Sequence, residues 1–99
     1  KLNSSGYYKG EVTTKFGDWF MFDLGIAGQS ICLAAYDQGL GTVIIGLFDH
    51  DGVKRLLDVP EGYEVAVMIP VGVPAKESKA PKRREQSDFV HMDRFSKKS

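Results

Sequence analysis

Cysteine is almost missing from this chain. Cys32 stands alone, so no disulfide can form within it. A lone thiol fits a reducing compartment, and a cytoplasmic setting is expected. No apolar run approaches the roughly 20 residues that a membrane span requires. Nor does a charged and then apolar leader of the secretory kind open the sequence. No membrane partner is therefore expected. One cysteine and two histidines are too few for a structural zinc site. Net charge is absent as well, with 13 basic residues against 13 acidic ones. There is no internal repeat. An initiating methionine is also lacking, and residues 1–15 read like the middle of something longer, so an upstream portion is expected.

What is present describes one small domain. The 99 residues are 42% apolar and 26% charged, near the averages for globular proteins. The charge is unevenly spread. Residues 74–99 carry eight basic and four acidic side chains, and residues 1–73 carry five and nine. A basic tail on an acidic body suits an anionic partner. Nucleic acid is disfavoured, because the aromatic residues do not lie among the basic ones.

The chain divides into three stretches. Residues 1–17 are polar and contain glycine, with Tyr7, Tyr8 and Phe16 interleaved, and they read as a loop. Residues 18–73 read as a core of helices and strands. Asp18 is suited to cap a helix running from Trp19 to about Gln38. Within it Gly25, Gly28, Cys32 and Ala35 fall on one face, and Phe20, Leu24, Ala27, Ile31 and Ala34 on the next. Each interior glycine costs about 1 kcal/mol against alanine. The small-residue stripe therefore reads as a place of close approach, a twin helix across a dimer axis before a strand of the same chain. Gly39 and Gly41 end the helix. A short strand, Thr42 to Ile45, follows. Asp49 caps a second helix, His50 to Leu57, with Val53, Leu56 and Leu57 facing inward. The run "YEVAVMIPV", Tyr63 to Val71, has the unbroken apolar character of a strand covered on both faces, weakened towards its end by Pro70. Residues 74–99 read as an extended arm in which "DFVHMDRF", Asp88 to Phe95, regains strand character. A strand on an arm can add to a sheet in a partner subunit.

Several tempting motifs fail on spacing. "DHDGVKRLLDVPE" places its glycine too early for a calcium loop. "GLGTVIIG" follows a helix and precedes a strand, the reverse of the dinucleotide fingerprint, and no Gly-Lys-Ser/Thr completes a phosphate loop. Cys32 with His50 or His91 could form a nucleophile pair, but a thiol on the small-residue stripe reads as buried and inert. Lys82, Arg83 and Arg84 form a compact cationic cluster, either a solvated charge run or a phosphate clamp. Trp19, Phe20 and the segment from Tyr7 to Phe16 read either as pocket lining or as a staple at a helix start.

Taken together and in order, "LAAYDQGLGT", "IGLFD", "VKRLLDVPEGYEV", "IPVGVP" and "FVHMDRF" resemble the carboxy-terminal half of the FMN-dependent nitroreductase family. The resemblance runs from about Gly10 to Phe95. It implies an α+β sandwich, present here in part, with a long central helix and a mixed sheet. It also implies an intertwined homodimer in which the carboxy-terminal arm adds a strand to the partner's sheet. FMN would lie at the dimer interface, with NAD(P)H as co-substrate. By match, Ile44, Ile45 and Gly46 would touch the flavin, with a main-chain amide near Ile45 or Gly46 donating to its N5. Lys82 and Arg84 would hold the FMN phosphate, with Arg83 as the substitute if the register is shifted by one. Some members of the family have an acidic residue where Ile45 stands. The family's Arg-rich phosphate motif belongs to its amino-terminal half and does not occur in these 99 residues. The implied function is reduction of nitroaromatic, quinone or related acceptors by ping-pong hydride transfer, with the flavin doing the chemistry and no side-chain acid or base. A non-catalytic dimerisation or flavin-sequestering module of the same fold is the alternative.

Overall fold

Helix α1 spans Phe20–Asp37, and both of its ends follow from local chemistry. At its start the Asp18 carboxylate accepts from the Phe20 amide at 3.1 Å, and from the Asn3 amide at 2.7 Å. Asp18 thus serves the helix from one position further out than expected. Trp19 takes the cap position, and its carbonyl receives the Asp23 amide at 3.0 Å. At the far end Gly39 adopts φ +77°. Its amide reaches the Tyr36 carbonyl at 3.0 Å and the Leu40 amide reaches that of Ala35 at 2.9 Å. That is the paired bonding of a glycine-terminated helix.

The computed structural model describes residues 1–96. The amino-terminal stretch read as a loop contains a small hairpin. Strands β1 (Tyr7–Tyr8) and β2 (Glu11–Val12) pair antiparallel, and Lys9 and Gly10 turn between them at φ +50° and +80°. Two consecutive positive φ values are what a tight hairpin turn of matching twist requires. Gly6, at φ +78°, cannot be replaced freely, because an added Cβ would stand 2.9 Å from Thr14 Cγ2.

Strands β3 (Gly41–Thr42) and β4 (Val71–Gly72) form a second antiparallel pair, and Ile45 and Met68 continue it in the same register. The break between them falls where Val43 faces Pro70. Proline has no amide proton to give the ladder, so pairing lapses there and resumes beyond. The expected strand from Tyr63 to Val71 is accordingly not a regular strand covered on both faces. Tyr63 and Glu64 are exposed, and Val65 to Ile69 are only half-buried. Both strand pairs are antiparallel, and no parallel pairing is made among the described residues.

Helix α2 spans His50–Leu56, with Asp49 as its cap accepting from the Gly52 amide at 2.9 Å. Val53 turns inward as expected. Leu56 and Leu57 do not: they are 81% and 63% exposed. Asp58 closes the helix at φ +53°, and the amides of Asp58 and Val59 return to the carbonyls of Arg55 and Lys54.

The small-residue stripe is used within the chain. Gly28 and Ala35 are the buried residues of α1, and a Cβ on Gly28 would stand 3.8 Å from Ile69 Cδ1. At Gly28 the helix lies on the chain's own strand layer, because a side chain of hydrogen size lets Ile69 come close. Cys32 is half-buried and Gly25 is open. The rest of α1 is bare: Met21, Phe22, Ile26 and Leu33 are each more than half exposed. Ala35 is the only buried hydrophobic side chain among the described residues. The radius of gyration is 18.1 Å, against about 13 Å for a compact chain of this length. Among the described residues no helix is long and apolar enough to cross a membrane.

The arm after Pro74 is exposed throughout, apart from His91. It holds one 3-10 turn, Gln86–Asp88, and no strand over Asp88 to Phe95. A strand exists only against a partner that takes its main-chain bonds, and the described residues of this chain offer the arm none. Residues 97–99 of the expected arm lie outside those described.

Candidate functional site

The elements converge on the stretch after β3. Ile45 is half-buried, and both of its main-chain groups are committed: its amide donates to the Met68 carbonyl at 2.9 Å, and its carbonyl accepts from the Met68 amide at 3.0 Å. The Ile45 amide is therefore unavailable to a ligand. Gly46 differs. It is exposed, its amide has no hydrogen-bond partner among the described residues, and a Cβ there would meet nothing within 4 Å. Ile44 is 53% exposed beside it. A planar group could thus approach the main chain at Gly46 without a side chain in the way.

His50 was singled out in the sequence only as a partner for Cys32, and it makes no hydrogen bond to that thiol. Its Nε2 lies 3.0 Å from the Gly46 carbonyl and its Nδ1 2.7 Å from the Val65 carbonyl. Phe48 stacks on the ring, with centroids 4.0 Å apart. The spacing of Gly46 and His50 across a helix start was the only signal in the sequence. His91 is occupied with Ser96, whose amide donates to Nδ1 at 3.2 Å. Among the described residues no cluster of potential metal ligands exists.

The cationic cluster lies on the arm. Lys82, Arg83 and Arg84 are all exposed, and none is in an ion pair among the described residues. Arg84 donates from Nη2 to the Asp88 carbonyl at 3.1 Å and lies over the Phe89 ring. Among the described residues no hydrogen bond or ion pair joins this cluster to residues 44–46, so side-chain bonds within the chain do not link the two halves of the expected site. By contrast Lys54 is engaged, 3.2 Å from Glu64 and 3.9 Å from Glu61. At the start of α1 the Trp19 and Phe22 rings stand 4.8 Å apart, and the Trp19 amide donates to the Ser5 carbonyl, which draws the hairpin segment onto the helix start.

The family model described as the nitroreductase family matches residues 4–73. The chain belongs to the nitroreductase family. Curated relatives agree. A Methanothermobacter thermautotrophicus protein named as an NADH dehydrogenase/NAD(P)H nitroreductase is 32% identical, over 82% of this chain and 44% of its own length. The Bacillus subtilis protein named NAD(P)H nitroreductase MhqN is 32% identical over 75% of this chain and 39% of its own. A crystal structure of a nitroreductase family protein from Streptococcus pneumoniae superposes with a TM-score of 0.72 at 22% identity, covering 86% of this chain and 40% of that one. The nitroreductase fold is thus the fold of this chain, and it is α+β as expected. The chain spans less than half the length of the nitroreductase relatives it matches.

Proposed function

We propose that this chain contributes one wall of the flavin site in an FMN-dependent oxidoreductase. The observation that carries the proposal is Gly46: an exposed amide with no hydrogen-bond partner among the described residues, just past the Ile45–Met68 bridge, with no side chain to hold off a flat ring. The relatives' names, which specify NAD(P)H nitroreductases, favour the same chemistry. Bound FMN would supply hydride transfer from NAD(P)H to a nitroaromatic, quinone or related acceptor in a ping-pong cycle.

The chain's own residues bind and orient. The Gly46 amide would be a donor to the flavin ring, and a donor there would favour the reduced state. Ile44 and Ile45 give an apolar wall. Lys82 and Arg84, with Arg83 beside them, neutralise the phosphate, Arg through two parallel hydrogen bonds. The bare apolar flank of α1 fits a homodimer interface, and the arm would gain its strand on the partner's sheet, where its main-chain groups find partners. An incomplete core of this kind is what an intertwined dimer leaves in each subunit.

The test is the absorption spectrum of the purified protein before and after NAD(P)H. A yellow protein that bleaches supports the oxidoreductase. Colour without bleaching points to a flavin-sequestering module, and a colourless protein that takes up no added FMN rejects the flavin site.

A further inference from the structure

Arg84 and Phe89 meet across a turn that the arm closes by itself. The Asp88 amide returns to the Glu85 carbonyl at 2.9 Å, and the amides of Phe89 and Val90 return to that of Gln86 at 3.1 and 2.8 Å. These bonds make the 3-10 turn Gln86–Asp88 without help from another segment. The turn swings the chain back, so that the guanidinium carbon of Arg84 lies 5.6 Å from the centre of the Phe89 ring. It also brings the Asp88 carbonyl to 3.1 Å from Arg84 Nη2, which donates to it. The contacts of Lys9 with Tyr8 and of Lys15 with Phe16 join adjacent residues. That of Arg84 with Phe89 exists only because the turn has formed.

An arginine on an exposed arm loses much rotamer freedom when it grips a ligand, and that loss weakens binding. Here ring and carbonyl already restrict the side chain. A guanidinium carries five N–H donors in a flat fork. Arg84 makes one hydrogen bond from it among the described residues, and no carboxylate pairs with it there. Donors therefore remain for two parallel bonds to a phosphate. Phe89 is 51% exposed, and the guanidinium is the group that its ring meets in a cation–ring contact. Lys82 makes no such contact among the described residues and contributes charge without direction.

We propose that Phe89 is a positioning residue whose ring holds the Arg84 guanidinium in readiness for a phosphate monoester. The assignment rests on the flavin reading above, in which Arg84 meets the FMN phosphate, and adds to it the group that orders Arg84 before the ligand arrives. Phe89 itself touches no ligand in this arrangement. Its effect is to lower the cost of binding, not to add a contact.

The test compares FMN with riboflavin, which has the same ring system and no phosphate. The ratio of the riboflavin Kd to the FMN Kd reads what the phosphate contributes. Arg84→Ala is expected to lower that ratio about tenfold, as for the loss of one hydrogen-bonded charge. Phe89→Leu keeps apolar bulk without a ring face and should lower it about fourfold, the effect of an exposed cation–ring contact. Phe89→Tyr keeps the face and should stay near wild type. Added to Arg84→Ala, Phe89→Leu should change the ratio no further. Riboflavin affinity should be the same throughout. A ratio that Phe89→Leu leaves at the wild-type value, or lowers equally when Arg84 is absent, overturns the assignment alone, as does a Phe89→Tyr variant that behaves like Phe89→Leu. A ratio unmoved by Arg84→Ala removes Arg84 from the phosphate and this assignment with it. A wild-type protein that takes up neither flavin overturns the flavin reading as well.

Discussion

Ile45 and Met68 exchange both of their main-chain hydrogen bonds, at 2.9 and 3.0 Å, in the register set by Gly41 with Gly72 and Thr42 with Val71. This one pair divides the strand after β3 into two edges. Ile45 is spent on its neighbour, and Gly46 next to it is left facing outward. Which of two adjacent amides is available to a ligand is thereby decided by strand pairing and not by residue type.

Gly46 should tolerate a side chain for folding but not for flavin. Its φ lies outside the left-handed region and an added Cβ meets nothing within 4 Å. Gly46→Val is expected to change unfolding free energy by no more than about 0.5 kcal/mol. FMN affinity should fall about tenfold or more, since a side chain would then occupy the approach of the ring. Denaturant melts and a flavin titration on one preparation measure both. Unchanged FMN affinity would remove Gly46 from the site.

The arm cations should matter for ligand and not for stability. Lys82, Arg83 and Arg84 are exposed and free of ion pairs among the described residues. Replacing Lys82 and Arg84 together with alanine should weaken FMN about a hundredfold, for the loss of two charge-assisted contacts. The melting temperature should hardly move, because solvated charges contribute little. Riboflavin, which lacks the phosphate, should bind the double variant and the wild type equally.

The glycines of α1 should accept alanine. A Cβ at Gly25 meets nothing, and one at Gly28 makes ordinary contact with Ile69 Cδ1. Each substitution is expected to stabilise the chain by about 1 kcal/mol, the difference in helix propensity. Gly28→Leu should destabilise instead, by pushing the helix off its strand layer. Sedimentation of Gly25→Ala adds a second reading: dissociation of an assembly on this change would put a partner helix against that face after all.

The two ends of α2 should respond in opposite directions. Asp49→Ala removes the side chain that holds the Gly52 amide and should cost about 1 kcal/mol. Asp58 sits at φ +53° as the closing residue, where glycine carries no Cβ penalty. Asp58→Gly should therefore gain about 0.5 kcal/mol, the relief of the left-handed conformation less the added freedom of the unfolded chain. Thermal melts of both variants check the signs.

Helix ends were legible because their signals are local. Asp49 and Gly39 act where the sequence places them, and the bounds of α1 differ from the expectation by one residue at either end. Strands were less legible. The apolar run from Tyr63 to Val71 advertises a covered strand, yet a covering layer is a property of neighbours that the run does not contain. The same holds for Leu56 and Leu57, apolar at helical spacing and still exposed, and for the arm, whose strand character has no partner to pair with here. His50 was read only as a partner for Cys32 because the two groups it faces are main-chain carbonyls, which every residue has.

By itself, then, the order of residues determined the two helices, their stops, the family and the placement of glycine at position 46, since each follows from contacts within a few positions or from a pattern spread along the chain. Tertiary structure alone decided that Gly28 of the small-residue stripe closes on Ile69, that Pro70 interrupts the ladder opposite Val43, and that the amide left open belongs to Gly46 and not to Ile45. Those outcomes depend on which distant segments of the chain meet. Hydrogen-bond partners and close packing are settled only when the segments have met.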